Sequence, residues 1–270
     1  MSMFVAACAS EEPKEGAGSV VPERAGRDGG SPAVVAWPED PPKGYRWVGD
    51  SGVVVAVPGW WTTGDTQCLL PVEDTVYVET GAITDCALPV PPGTHREVSS
   101  LAVISTRLAH GERIVKALSP DGKVGGEPVL TGQDCHWFGK SACRAVMAVP
   151  SRGVAFALHV AESDDVDEPL VRDSLRLLPN GWTTVPMSLR GAGYTRSGGA
   201  PPSVTRDYLR LLERGELVAE VERAEPPGAE VGGDLTSLPA GALLDVRPTP
   251  GSPIEEGGRV TLTVTPHTVE

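Results

Sequence analysis

The stretch YRWVGDSGVVVAVP, residues 45–58, decides the fold. Two short apolar runs flank Gly49-Asp50-Ser51-Gly52, whose residue types favour a tight turn, and Pro58 closes the second run. The stretch therefore predicts a β-hairpin at the start of a folded domain. Four further apolar runs predict strands, at residues 75–79, 100–106, 144–150 and 154–160. Because Pro150-Ser151-Arg152-Gly153 separates the last two runs, they predict a second hairpin.

The stretch SDDVDEPLVRDSLRLLP, residues 163–179, changes to a helical period. Ser163 is a candidate N-cap, and Pro169 suits the first turn of a helix. One helical face would carry Leu170, Val171, Leu175 and Leu178. We expect a helix that ends by Leu178, before Pro179. Strands followed by a packing helix predict an α+β fold, with an antiparallel sheet and helix forming a sandwich over residues 45–182.

A second pattern occupies residues 183–270. The stretch SVTRDYLRLLERGEL predicts a helix with Tyr208, Leu209 and Leu212 on one face and Gly215 at the C′ position. An alternating strand follows at residues 217–225, and two more strands flank Pro250-Gly251 within residues 242–266. The pattern predicts one helix on a small three-stranded sheet.

The cysteines give information about the compartment. Four of the five form two locally spaced pairs, Cys68 with Cys86 and Cys135 with Cys143. Four cysteines allow three connectivities, of which sequential pairing is the simplest. Disulfides require an oxidising compartment, so this interpretation predicts an extracytoplasmic protein. The alternative is a cytosolic protein with four reduced, buried cysteines.

The fifth cysteine, Cys8, follows Val5-Ala6-Ala7, and this stretch resembles the lipobox of bacterial lipoproteins. The resemblance implies an exported protein whose Cys8 is acylated and holds it at the outer face of the cytoplasmic membrane. Residues 1–8 are then a residual signal, and the Pro, Gly, Glu and Ser content of residues 9–44 predicts a flexible linker. No basic residue precedes Cys8, so an ordinary cysteine in a disordered tail is the alternative.

Residues 183–266 resemble the PASTA family, the small repeats of penicillin-binding proteins and bacterial Ser/Thr receptor kinases. The matching positions are Val185-Pro186, Gly191, Gly215, Pro239-Ala240-Gly241, Pro248, Pro250-Gly251, Glu256-Gly257-Gly258 and Val260-Thr261-Leu262-Thr263-Val264. The resemblance implies binding of peptidoglycan fragments, or of muropeptide-like and β-lactam-like molecules, and no catalysis. The candidate contacts to a muropeptide carboxylate are Arg206, Arg210, Arg247 and Arg259. The alternative is that these arginines are solvated surface residues.

The central region resembles the PsbP/Mog1-like sandwich domains at its two ends. The resemblance rests on GVVVAVPGWW, residues 52–61, and LVRDSLRLLP, residues 170–179. Similar segments occur in many exported actinobacterial lipoproteins. This resemblance implies a fold and no particular activity.

Several functions are disfavoured by charge and by motif. The net charge of −13 over 270 residues, without a basic stripe, argues against nucleic-acid binding. Gly139-Lys140-Ser141 lacks the glycine that a phosphate loop needs, because Asp134 stands in its place. The five histidines, at positions 95, 110, 136, 159 and 267, have no metal-binding spacing, and the acidic run 163–168 is explained by helix capping.

The sequence thus predicts a protein without cofactor, metal site or catalytic site. We expect a membrane-tethered cell-envelope protein that binds peptidoglycan or docks on a cell-wall enzyme. The alternative is an extracytoplasmic interaction scaffold with no glycan affinity.

Overall fold

The computed structural model describes residues 40–64, 66–67, 70–81, 97–135, 143–187, 202–224 and 240–266. The described residues all fall within one compact unit. Cys8, Cys68 and Cys86 lie outside them, so the predicted lipid attachment and the first predicted disulfide stay predictions. Within the described ranges, no helix is both long and apolar enough to cross a bilayer.

The described residues form strands and helices in the following order: β1 (Tyr45–Asp50), β2 (Val53–Pro58), β3 (Thr62–Thr63), β4 (Thr66–Gln67), β5 (Leu70–Pro71), β6 (Thr75–Glu79), β7 (Ser100–Ser105), α1 (Ala109–Val115), β8 (Ser119–Val124), β9 (Glu127–Asp134), β10 (Arg144–Val149), β11 (Val154–His159), α2 (Glu168–Asp173), β12 (Arg176–Leu177), β13 (Trp182–Thr184), α3 (Pro202–Arg214), β14 (Val218–Arg223), β15 (Leu243–Arg247), β16 (Pro253–Glu255) and β17 (Arg259–Val264). Strands outnumber helices, and the chain is of the α+β class, as the sequence predicts.

The first hairpin is confirmed. β1 and β2 pair antiparallel, with Asp50 opposite Val53. Ser51 and Gly52 form the two-residue turn, and both have positive φ, 53° and 74°. Two residues of positive φ give a turn whose twist matches that of the flanking strands. The other edge of β2 pairs with β12, which completes a three-stranded sheet.

A seven-stranded sheet has the order β3-β6-β7-β11-β10-β9-β8. The predicted hairpin of β10 and β11 is confirmed, and Ala145 lies opposite Leu158. The sheet is not wholly antiparallel, because β3 with β6 and β6 with β7 run parallel. A parallel neighbour needs a long crossover connection, and residues 80–99 separate β6 from β7.

The core lies between the two sheets. Val53, Val55 and Val57 on one face of β2 share a buried cluster with side chains of the large sheet, including Leu101, Met147 and Phe156. The opposite face of β2 packs Val54 and Ala56 against Trp47 and Leu178. β2 is therefore buried on both faces, which explains why its sequence is a continuous apolar run instead of an alternating one.

The predicted helix over residues 163–178 is shorter than expected. α2 covers only Glu168–Asp173, and its N-cap is Asp167, whose carboxylate accepts from the Leu170 amide at 2.9 Å, in place of Ser163. Ser174 Oγ then accepts a hydrogen bond from the Ala56 amide at 2.7 Å. The chain continues as β12, which pairs antiparallel with the edge of β2.

The hairpin of β8 and β9 and the helix α1 have no counterpart in the sequence predictions. β8 is almost entirely exposed, so it has no apolar alternation to reveal it. α1 has seven residues and buries Gly111 and Ile114, too few for a clear helical period.

The C-terminal part contains the predicted helix and three-stranded sheet. α3 buries Val204, Tyr208 and Leu212 against Val260 and Leu262 of the sheet β14-β17-β15. The boundary predicted between residues 182 and 183 falls inside β13, which pairs with β16. The amide of Gly49 also donates to the carbonyl of Gly251 at 2.9 Å, so the C-terminal part is hydrogen-bonded to the first hairpin.

Gly215 is not the left-handed residue that ends α3. That conformation belongs to Glu216, with φ of 55°. The Leu217 amide donates to the Leu212 carbonyl at 2.9 Å, and the Glu216 amide donates to the Glu213 carbonyl at 3.1 Å. This pair of bonds is a Schellman motif, in which Glu216 is C′ and Gly215 the C-cap. Leu217 at C″ is buried in the same cluster as Leu212 at C3, and a hydrophobic contact between these positions commonly accompanies the motif.

We therefore expect Glu216→Gly to stabilise the chain by about 0.5–1 kcal/mol, because a non-glycine residue in the left-handed region is strained. Denaturant-induced unfolding measures the change. Gly215→Ala is the matched control. Its new Cβ would meet no atom closer than 3.4 Å, so we expect it not to destabilise. A marked loss of stability in Gly215→Ala would contradict this assignment of the helix end.

Candidate functional site

A buried ionic cluster surrounds Arg144, at the first residue of β10. Only 1% of Arg144 is exposed, and Glu79 at the end of β6 is 4% exposed. Arg144 Nη1 lies 2.5 Å from Glu79 Oε2, and Nη2 lies 3.0 Å from Oε1. Arg144 Nη2 also donates to Asp134 Oδ2 at 2.8 Å. Tyr77 Oη donates to Glu79 Oε2 at 3.0 Å, so Glu79 is held by several donors.

The alternation of side chains along β6 and β10 places Glu79 and Arg144 on a buried face of the large sheet. Arg144 shares a strand face with Val146 and Ala148, and Glu79 shares one with Tyr77. This face of the large sheet is covered by Ile114 of α1 and is rich in small side chains, namely Ala102, Ala148, Ala155 and Ala157. The short alanine side chains leave room for the large Arg144 and Tyr77 side chains.

α1 adds a histidine to the cluster. His110 Nε2 lies 2.6 Å from Glu79 Oε1, and Arg113 Nη2 lies 2.9 Å from His110 Nδ1. An arginine only donates, so Nδ1 accepts and the proton of the neutral imidazole is on Nε2, where it is donated to Glu79. His110 is thus held between an anion and a cation.

The position of His110 requires a glycine at residue 81. A Cβ on Gly81 would lie 2.3 Å from Cγ of His110, and Gly81 has φ of +74°. The imidazole therefore packs directly on the Gly81 backbone, in space that only glycine leaves open. Sequence reasoning gave no role to Gly81, Glu79 or Arg144. Glu79 and Arg144 could have been predicted as site residues from one signal, a charged residue at the terminus of an otherwise apolar strand.

Burial opposes the negative charge of Glu79, but hydrogen bonds from His110 and Arg144, with the charge of Arg144, outweigh it. They lower the pKa of Glu79 from 4.5 to about 2. For Arg144, burial lowers the pKa, yet hydrogen bonding and attraction to Glu79 raise it above its usual value. Both groups are therefore charged at neutral pH.

A cavity of about 610 Å³ opens beside this cluster. Arg144, Glu79, Asp134 and His110 reach it, and the rest of its lining is Gly81, Arg113, Ile114, Ala117, Gln133 and Cys135. Its size is within the range of small-molecule sites, which have apolar walls with a few polar groups.

The disulfide between Cys135 and Cys143 is present. Cys135 follows Asp134 and Cys143 precedes Arg144, and these two charged residues face each other across β9 and β10. The disulfide therefore lies one residue beyond the Asp134–Arg144 pair and holds it in register. It is also consistent with an extracytoplasmic protein.

The four arginines predicted to bind a ligand do not come together. Arg206 and Arg210 lie on the exposed side of α3, and Arg210 contacts Asp207 at 3.4 Å. Arg247 and Arg259 lie on the outer face of the C-terminal sheet, away from α3. There Arg247 pairs with Asp245 at 2.6 Å, and Arg259 pairs with Glu220 at 2.9 Å.

In the stretch 52–61, Trp61 is buried in the core and Trp60 is 63% exposed. In the acidic run, Asp167 caps α2 and Asp164 accepts from Ser99. Among the described residues, no group of three or more His, Cys, Asp or Glu side chains is arranged to hold a metal ion. His95, His136 and His267 lie outside the described ranges.

We expect Glu79→Gln to destabilise the chain by about 3–5 kcal/mol, because it leaves the Arg144 guanidinium buried without its principal counter-charge. Denaturant-induced unfolding at neutral pH measures the loss. Glu220→Gln is the control, because it removes one exposed ion pair worth about 0–1 kcal/mol. Equal effects of the two substitutions would contradict the structural role of Glu79.

The lowered pKa of Glu79 also predicts a pH dependence. The folded-state pKa lies below the unfolded value, so protonation favours the unfolded chain. The stability that Glu79 contributes, about 3 kcal/mol, is complete above about pH 4.5 and is lost as the pH falls towards about 2. The difference in unfolding free energy between the wild type and Glu79→Gln should therefore narrow over this interval. A constant difference would mean that Glu79 has an ordinary pKa.

No family model matches this chain, and neither the curated proteins nor the solved structures contain a match to it. Any statement about its function therefore rests on its own residues and on their arrangement.

Proposed function

We propose that this chain is a non-catalytic, membrane-tethered cell-envelope protein whose C-terminal part binds peptidoglycan fragments. The tether is the lipid predicted at Cys8, followed by the linker 9–44. The described disulfide between Cys135 and Cys143 supports the extracytoplasmic location.

The observation that carries the proposal is the outer face of the C-terminal sheet. Val260, Leu262 and Val264 of β17 point to α3 and are buried. Arg259, Thr261 and Thr263 alternate with them and therefore point outward. Thr261 lies between Glu220 of β14 and Arg247 of β15.

This outer face carries arginine, hydroxyl and carboxylate groups, and its two arginines are exposed. Glycan hydroxyls and peptide amides are recognised by hydrogen bonds of this kind, and arginine is suited to stem-peptide carboxylates. The surface is chemically suited to a muropeptide, which carries hydroxyl, amide and carboxylate groups.

A second candidate is an interaction scaffold with no glycan affinity. The observation that favours it is that both outward arginines already have an acidic partner, Asp245 for Arg247 and Glu220 for Arg259. A ligand carboxylate would have to compete with these partners. In the scaffold, the same face docks on a cell-wall enzyme or on another envelope protein.

Sedimentation with purified peptidoglycan tests the proposal in the full chain. We expect the wild type to pellet with the peptidoglycan and the double variant R247Q/R259Q to stay largely in the supernatant. The matched control is R206Q/R210Q, which removes two exposed arginines from α3, on the other side of the sheet.

Retained pelleting in the control would assign binding to the outer face of the sheet. Loss in the control alone would move the site to α3, and equal loss in both would indicate a charge effect without a specific face. A wild type that fails to pellet would sink the peptidoglycan proposal and favour the scaffold.

A further inference from the structure

The charges around the cavity follow an alternating order. Asp134 contacts Arg144 at 2.8 Å, and Arg144 contacts Glu79 at 2.5 Å. Glu79 then contacts His110, and His110 contacts Arg113. A protonated His110 would extend the alternation of negative and positive groups by one member. After a positive His110, the alternation calls for a negative group, and an anion between His110 and Arg113 would supply it.

Arg113 is the member of the cluster that remains available to a ligand. Arg144 binds two carboxylates and contacts Tyr77, and both oxygens of Glu79 accept hydrogen bonds. Within the described residues, the exposed Arg113 guanidinium makes one hydrogen bond, to His110. A guanidinium has five N–H donors in a planar fork, so Arg113 retains donors suited to a carboxylate.

The imidazole is placed so that its second nitrogen can also donate to a ligand. His110 Nε2 is bonded to Glu79, and Nδ1 is on the side of Arg113. If Nδ1 takes up a proton, it stops accepting from Arg113 and becomes a second donor. The charged groups near it are Glu79 of β6, Asp134 of β9, Arg144 of β10 and Arg113 of α1 itself. Two of these groups are anions and two are cations.

We propose that the cavity binds a small organic monocarboxylate with an apolar body, whose carboxylate lies between His110 and Arg113. Binding takes up one proton on His110 and displaces the hydrogen bond from Arg113. This site is separate from the outer face of the C-terminal sheet and does not depend on the peptidoglycan proposal.

The residues that line the cavity favour a ligand with an apolar body and a single negative charge. Ile114, Ala117, Gly81 and the Cys135 side of the disulfide form apolar walls, which suit an aliphatic or aromatic body. A single negative charge is favoured over two because Glu79 and Asp134 are close to the site. A phosphate dianion would be repelled more strongly than a monoanion by both of these carboxylates.

Benzoate is a suitable probe, and benzamide is its neutral isostere. We expect saturable benzoate-induced shifts of the Gly81, Arg113 and Gln133 amide signals in heteronuclear NMR spectra of the full chain. Benzamide should bind at least about tenfold more weakly, since it lacks the charge that Arg113 and His110 recognise. Because binding takes up one proton, benzoate should bind more tightly as the pH falls.

The variant R113Q should weaken benzoate binding by about tenfold or more without unfolding the chain, because Arg113 is exposed. The matched control is K116Q, which removes one positive charge from the exposed residue after α1 and outside the cavity lining. K116Q should bind benzoate as the wild type does.

Equal binding of benzamide and benzoate would overturn the proposal and indicate an apolar cavity alone. Equal weakening by R113Q and K116Q, or affinity that does not change with pH, would also overturn it. Inorganic phosphate that displaces benzoate with higher affinity would assign the site to oxyanions instead. Because the C-terminal arginines are unchanged in R113Q, peptidoglycan pelleting by this variant separates a failure here from a failure of the proposed function.

Discussion

The large sheet depends on the buried ion pair between Arg144 and Glu79. A guanidinium out of contact with water is costly unless its donors are matched, and here carboxylates of two strands receive them. The pair joins β6 to β10, which are not neighbours in the sheet, and through His110 it also joins α1. The network therefore joins two strands that do not pair directly, and it joins the sheet to α1.

The same network shapes the cavity. Small alanines on the sheet face make room for Arg144 and Tyr77, and Gly81 makes room for His110. The disulfide lies one residue beyond the Asp134–Arg144 pair and limits the movement of that end of the hairpin. Rigid support of this kind is what a binding site needs, because side chains that are already in position lose little entropy when a ligand arrives.

The hairpins β1–β2 and β10–β11 could be predicted because their signals are local. Gly and Ser in tight turns and uninterrupted apolar runs appear in the sequence itself, as in residues 45–58. The helix of residues 163–178 was predicted too long because two of its later leucines are buried in two different clusters, outside the helix. Leu175 packs into the main core and Leu178 against Trp47, after the chain has turned into a strand. Helical spacing of apolar residues does not distinguish these cases.

By itself, the sequence determined the α+β class, the two central hairpins and the C-terminal helix with its three strands, and it favoured the local pairing of Cys135 with Cys143. Each of these follows from residues close together in the chain. The site was decided only by tertiary structure. Glu79, His110 and Arg144 are 31 to 65 positions apart, and they meet because strand order and the packing of α1 bring them to one sheet face. Tertiary structure also decided the positions of the four arginines predicted to bind a ligand. Because α3 packs on one face of its sheet, the two arginines of α3 and the two on the outer face of the sheet lie on opposite sides.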